Sequence, residues 1–172
     1  MTAQPFLIWP DKRLRTVARP VDEITDKVRE IWQDMLDSMY GMPGIGVGLG
    51  APQIGVMERL AVLDCSDSHN EPIRMANPEV LHASSRLNIH EEGSPNVPGL
   101  FAKVSRPRAV TVRYLDETGT QVERDFVQLW ATSAQHQIDH LNGVMFFDHL
   151  SPLKKKMLLA KHAKGQKWRG DR

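Results

Sequence analysis

Two histidines four residues apart, His136 and His140, carry the strongest chemical signal in this 172-residue chain. They belong to Gln135-His136-Gln137-Ile138-Asp139-His140, the middle of an amphipathic stretch that predicts a helix from about Val127 to Leu141. At 3.6 residues per turn both imidazoles leave one face of that helix and could hold two corners of a metal ion. Metal hydrolases with this spacing place a glutamate after the first histidine, where it takes the proton from metal-bound water. Gln137 stands there instead. An amide has no titratable proton near neutral pH, so it holds a water by hydrogen bonds but cannot act as a general base. Taken alone, a His-x-x-x-His pair fits ordinary surface or core histidines equally well.

Two other stretches are chemically unusual. From Gly44 to Gly55 the chain reads Gly-Ile-Gly-Val-Gly-Leu-Gly-Ala-Pro-Gln-Ile-Gly, which lets backbone approach a ligand or a neighbouring strand closely. It lacks the Lys-Ser/Thr ending of a phosphate loop, which argues against a nucleotide site. Gln53 is the one polar side chain of this run able to donate a hydrogen bond. Glu91 to Gly99, Glu-Glu-Gly-Ser-Pro-Asn-Val-Pro-Gly, is rich in turn formers and reads as irregular.

The elements that must position these groups follow from periodicity. Phe6 to Trp9 predicts an extended segment lying on the body. Val28, Ile31, Trp32, Met35, Leu36 and Met39 repeat at helical spacing behind Thr25 as cap and ahead of Gly41 as stop. Arg59 to Asp64, Ile73 to Ala76 (closed by Asn77-Pro78) and Leu87 to His90 read as strands. Val110 to Tyr114 and Gln121 to Phe126 form a hairpin that feeds the histidine helix, itself closed by left-handed residues at Asn142-Gly143. Ser151-Pro152 starts a last helix that docks Leu153, Met157, Leu158 and Ala160 and ends at Gly165.

Hydrophobic content of 41% and charged content of 25% are those of a globular protein, here a single domain over residues 1–172. The net charge of +1 hides an asymmetry: residues 151–172 hold eight Lys or Arg against one Asp, a basic helix and tail of +7 on a body of −6. A solvated helix face explains this blandly, and a polyanion contact explains it more sharply. Cys65 is the lone cysteine, so no intrachain disulfide forms, and its place at a strand end far from the motifs predicts a small buried hydrophobe. No leader and no span of membrane length is evident, so the expectation is cytoplasmic, without a membrane partner.

Three stretches, in this order and spacing, resemble the peptide deformylase family, whose members remove formate from N-formylmethionine at the start of new bacterial chains. The family carries Gly-x-Gly-Leu-Ala-Ala-x-Gln, Glu-Gly-Cys-Leu-Ser and Gln-His-Glu-x-Asp-His. This chain offers Gly46-Val47-Gly48-Leu49-Gly50-Ala51-Pro52-Gln53, Glu92-Gly93-Ser94-Pro95-Asn96 and Gln135-His136-Gln137-Ile138-Asp139-His140. Pro10-Asp11, Asn77-Pro78, Val97-Pro98-Gly99, Arg106-Pro107 and Leu141-Asn142-Gly143 extend the match. The resemblance implies an α+β fold, with antiparallel and mixed strands around a central His-bearing helix and with N- and C-terminal helices. It also implies a divalent metal (Fe, Zn or Ni) held by the positions of Ser94, His136 and His140.

By the same resemblance the base falls on Gln137, and the oxyanion donors fall on the Gln53 amide and the backbone N–H of Pro95, which proline lacks. A neutral serine hydroxyl replaces a soft thiolate ligand and so gives up charge and affinity. Losing one oxyanion donor typically costs about 10²–10³ in rate, and losing the base roughly 10²–10⁴, factors that need not multiply. Val47, Gly48, Leu129, Thr132 and Ser133 fall where the methionine side chain sits, with His90 and Phe101 nearby. The expectation is a deformylase-like protein with lost or strongly reduced activity that binds N-formylmethionyl peptides or nascent chains, with a ribosome contact through the basic helix. The alternative is an active metal-dependent peptide deformylase.

Overall fold

The apolar period from Val28 to Met39 is realised as helix α1, Asp26–Gly41, and Thr25 caps it by accepting from the Val28 N–H at 3.4 Å. Its inward stripe, Val28, Trp32, Met35, Leu36 and Met39, is almost wholly removed from water. The computed structural model describes residues 3–170. Strands β1 (Gly48–Gly50), β2 (Leu60–Leu63), β3 (Ile73–Ala83), β6 (Ala109–Leu115) and β7 (Gln121–Val127) form one sheet in the order β1-β2-β3-β6-β7. Strands β4 (Leu87–Gly93) and β5 (Phe101–Pro107) form a second, two-stranded sheet. All these ladders are antiparallel, and among the described residues parallel pairing is confined to the isolated bridge Arg19–Glu58.

Strand β2 explains why its sequence is apolar without alternation. Leu60 and Val62 pack under α1, whereas Ala61 and Leu63 point to the other face, under helix α2 (Gln128–Leu141), so both faces are buried. Helix α2 thus lies across the sheet with Ala131, Ala134, Ile138 and Leu141 in the core and the histidines turned toward β1 and β4. Its seat depends on glycine: a Cβ on Gly48 would lie 2.5 Å from Ser133 Oγ and 2.7 Å from Gln137 Nε2. A third cluster, Leu14, Val97, Val104, Met145, Phe146, Phe147 and Leu158, ties helix α3 (Pro152–Gly170) to the loop after β4. The N-terminal segment lies on the body as expected, with the Leu7 N–H donating to Gln53 O and the Trp9 N–H to Asn96 O, both at 2.9 Å.

Several expectations are corrected. Strand β3 does not stop at Ala76 but runs through Asn77-Pro78 to Ala83. Asn77 adopts φ +51, its side chain clasps the Val21 N–H and C=O, and the ladder shifts register between Ala76 and Glu79, where Pro78 has no N–H to offer. Strand β4 runs past His90 to Gly93, because Glu91 pairs across from Lys103 and Glu92 is buried against charge partners. Neither β1 nor β5 is expected from the sequence. At the end of α2 only Gly143 is left-handed, and Asn142 sits at φ −99.

Helix α3 passes through Gly165 to Gly170, since a glycine with nothing near it weakens a helix by only about 1 kcal/mol. Its docked face is Leu158, Leu159 and His162, while Leu153, Met157 and Ala160 face solvent. Of the tail charges, Asp171, Arg172 and the side chain of Arg169 lie outside the described residues. No helix among the described residues is long and apolar enough to cross a membrane.

Candidate active site

Strand β4, strand β1 and helix α2 converge on a cavity of about 680 Å³. Val47, Gly48, Gln53, Ser94, Pro95, Leu129, Thr132, Ser133, His136 and Gln137 all line it, so the residues singled out in three separate stretches meet in one place. His140 lies just behind, with its Nε2 3.1 Å from His136 Nε2 and almost no exposed surface.

The orientation of His136 is fixed from outside the cavity. Its Nδ1 lies 2.7 Å from Glu92 Oε1, and Glu92 also accepts from Arg106 Nε at 2.7 Å and Nη2 at 3.0 Å. Burial pushes the Glu92 carboxyl up, but the His136 hydrogen bond and the Arg106 fork outweigh it and hold the group at about 2. An ionised carboxylate only accepts, so His136 Nδ1 carries a proton toward Glu92 while its Nε2 faces the centre. Arg106 Nη1 continues the chain to Asp139 Oδ2 at 2.8 Å, which His149 Nε2 meets at 2.7 Å.

His140 is differently placed. Burial first, then His136 and Arg106, hold its pKa well below the ordinary histidine value, so it is neutral. Its Nε2 meets His136 Nε2 at 3.1 Å, and its Nδ1 is buried without a partner among the described residues. Gln137 Oε1 is likewise buried and unpartnered there.

The oxygen and amide groups opposite are tied to each other. Ser94 Oγ donates to Asn96 Oδ1 at 2.8 Å and accepts from Gln53 Nε2 at 3.3 Å. Gln53 Nε2 also donates to Asn96 Oδ1 at 2.8 Å, and Gln53 Oε1 takes the Gly50 N–H at 2.8 Å. Asn96 in turn donates to Leu7 O at 2.6 Å and Gln53 O at 3.0 Å, which fixes it. The next backbone N–H after Pro95, that of Asn96, turns back to Ser94 Oγ at 3.3 Å.

These residues do not fit a firmly held divalent metal. Ligating histidines almost always donate their second ring N–H to a carboxylate or carbonyl. His136 satisfies this through Glu92, but His140 Nδ1 has no such partner. The third oxygen, Ser94 Oγ, is a neutral hydroxyl whose proton is engaged by Asn96. Among the described residues no group of three His, Cys, Asp or Glu side chains is arranged to hold a metal.

Asn96, Arg106 and the Asp139–His149 contact are site features that the sequence motifs do not single out. Asn96 was within reach as the polar residue between two prolines of a loop flanking Ser94. Cys65 lies nearer the site than its position in the sequence suggests, with its Sγ 3.6 Å from Val47 O, behind the cavity wall. Burial pushes that thiol up to about 12, and Cys65 is half-buried rather than the fully buried hydrophobe expected.

A family model described as polypeptide deformylase matches residues 3–156. The peptide deformylase of Rhodopseudomonas palustris (strain TIE-1) is 44% identical over 97% of each chain. The solved peptide deformylase of Legionella pneumophila superposes with a TM-score of 0.89 at 40% identity, covering 98% of each chain. A class I type b peptide deformylase from Acinetobacter baumannii, solved with Met-Ala-Ser bound, gives a TM-score of 0.80 at 28% identity over 86% of this chain and 98% of its own. With the motifs assembled as one cavity on this α+β scaffold, and with relatives matching it nearly end to end, the chain belongs to the peptide deformylase family.

Proposed function

We propose that this protein receives the N-terminal end of a peptide, as a formylated nascent chain, in the β1/β4/α2 cavity, and that its hydrolytic step is lost or strongly reduced. The carrying observation is the closed Ser94–Asn96–Gln53 triangle. Both of its donors are engaged by the protein, so neither is aimed at a carbonyl oxygen entering the cavity. Pro95 adds no N–H and Gln137 adds no base. By family position Ser94, His136 and His140 stand where metal ligands would be, and Gln137, Gln53 and Pro95 stand where the reacting groups would be. Val47, Gly48, Leu129, Thr132 and Ser133 are the residues proposed to hold the first side chain.

The A. baumannii relative, solved with Met-Ala-Ser bound, supports peptide binding by this protein. Fluorescence anisotropy of labelled formyl-Met-Ala-Ser, with chromatography of the recovered peptide, tests the proposal. The expected result is saturable binding with the formyl group intact, and absence of binding contradicts it. The exposed lysines of α3, on a body of opposite net charge, support a second contact with ribosomal RNA.

The relatives' names favour a second reading, a working metal-dependent deformylase. The oriented His136–Glu92–Arg106 arrangement is what such an enzyme needs on one side of its centre. Formate release by metal-loaded protein, abolished by His136→Ala, would establish that reading in place of the first.

A further inference from the structure

The cavity wall contributed by β4 and α2 carries, besides Glu91, Glu92, His136 and Gln137, the hydrogen-bonding side chains His90, Thr132 and Ser133, of which Thr132 and Ser133 are buried. Ser133 Oγ donates to Val47 O at 2.9 Å and is thereby satisfied. His90 Nδ1 and Thr132 Oγ1 meet at 2.7 Å, and neither side chain has another hydrogen-bond partner among the described residues. An imidazole and a hydroxyl together own at least two protons, and the bond between them uses one. Whichever ring nitrogen carries its proton, one donor remains on a pair that lines the cavity. Around it the wall is apolar, with Leu129, Val47 and Phe101.

A purely aliphatic side chain filling this space would strip water from that donor and leave it unsatisfied. A thioether is only a weak acceptor and does little better. An unbranched chain of similar length ending in a carbonyl or sulfoxide oxygen would satisfy both the apolar walls and the spare donor. We infer that the His90–Thr132 pair makes this cleft select peptides whose first side chain is unbranched and ends in a strong hydrogen-bond acceptor, as in glutamine or methionine sulfoxide. This rests on the proposal that the cavity holds the first side chain of a peptide.

Isothermal titration of the full-length protein with four formyl-X-Ala-Ser peptides tests it, X being norleucine, methionine, glutamine or methionine sulfoxide. The expected order places the acceptor-bearing peptides roughly 3- to 10-fold tighter than norleucine, with methionine between, the range of one net hydrogen bond. Equal gains for glutamine and the sulfoxide mean that an acceptor alone suffices, while a gain for glutamine only adds use of its amide N–H. The variant His90→Leu with Thr132→Val should reverse the order, and the wild-type series stands without it if that variant folds poorly. Norleucine or methionine binding as tightly as glutamine and the sulfoxide overturns this inference and leaves peptide binding intact. If no peptide binds, the peptide reading falls and takes this one with it.

Discussion

The side-chain amide of Gln53 donates to Asn96 Oδ1 at 2.8 Å, so the one flexible donor of the glycine-rich run is turned onto the protein itself. Asn96 is wholly buried and makes four side-chain hydrogen bonds, to Gln53 Nε2, Ser94 Oγ, Leu7 O and Gln53 O. It ties the N-terminal segment to the loop after β4 and to the 3-10 turn Ala51–Ile54. Asn96→Ala leaves several of these groups buried without partners, each at a cost of about 1–3 kcal/mol before relaxation. Denaturant titration should show a loss of about 3 kcal/mol, and a change under 1 kcal/mol would show that the triangle carries little of the fold.

Glu92 makes stability depend on acid. Its folded pKa of about 2 lies below the ordinary 4.5, so its contribution is full above pH 4.5 and is lost as pH falls toward 2. Glu92→Gln leaves the buried Arg106 facing an amide in place of a carboxylate, a change of about 3–5 kcal/mol at neutral pH. The gap between wild type and variant should narrow between pH 4.5 and 2 in parallel denaturation series. A gap that stays constant across that window would remove Glu92 as its source.

Glycines 48 and 50 should respond differently to the same added methyl group. At Gly48 the Cβ meets Ser133 Oγ and Gln137 Nε2 well inside contact distance, whereas at Gly50 the nearest atom, His140 Cβ, is 3.3 Å away. Overpacking typically costs about 1–3 kcal/mol. Thermal melts should therefore show a clear loss for Gly48→Ala and a change within about 1 kcal/mol for Gly50→Ala. Equal losses would mean that β1 and α2 are not held as closely as described.

The lysines of α3 can be tested without removing the helix, whose Leu158 and His162 are docked against the body, His162 Nε2 lying 2.9 Å from Trp9 O. Lys154, Lys156, Lys161 and Lys164 are exposed, and reversing all four to Glu should leave the melting temperature nearly unchanged. Cosedimentation with ribosomes at low salt should be lost. Retained cosedimentation would separate the basic helix from any ribosome contact.

How far the sequence foretells this site depends on the range of the interactions. Helices α1 and α2 were legible because their apolar stripes and caps are local, and Thr25 and Val127 stand at the helix starts where the pattern puts them. Strand β5 was not, since Phe101 to Pro107 alternates weakly and is held by pairing with β4, whose last residues read as polar loop. Asn77-Pro78 looked like a stop because local chemistry favours a turn, and the Val21 clasp that carries β3 past it comes from 56 residues away. The convergence of Gln53, Ser94, His136 and Gln137 was legible through family spacing. The Gln53–Asn96 and His90–Thr132 bonds were not, for they join residues 43 and 42 positions apart through side-chain rotamers that no local pattern encodes.

On the proposed reading, Ser94, Pro95 and Gln137 stand where formamide hydrolysis needs a ligand, a donor and a base. Formate release from formyl-Met-Ala-Ser should be compared, under matched ferrous or nickel loading, for wild type and a variant combining Ser94→Cys, Pro95→Leu and Gln137→Glu. Wild-type release is expected near background and at least about 10³ below the variant, in line with the usual cost of losing such groups. Wild-type turnover equal to that of the variant would contradict that reading.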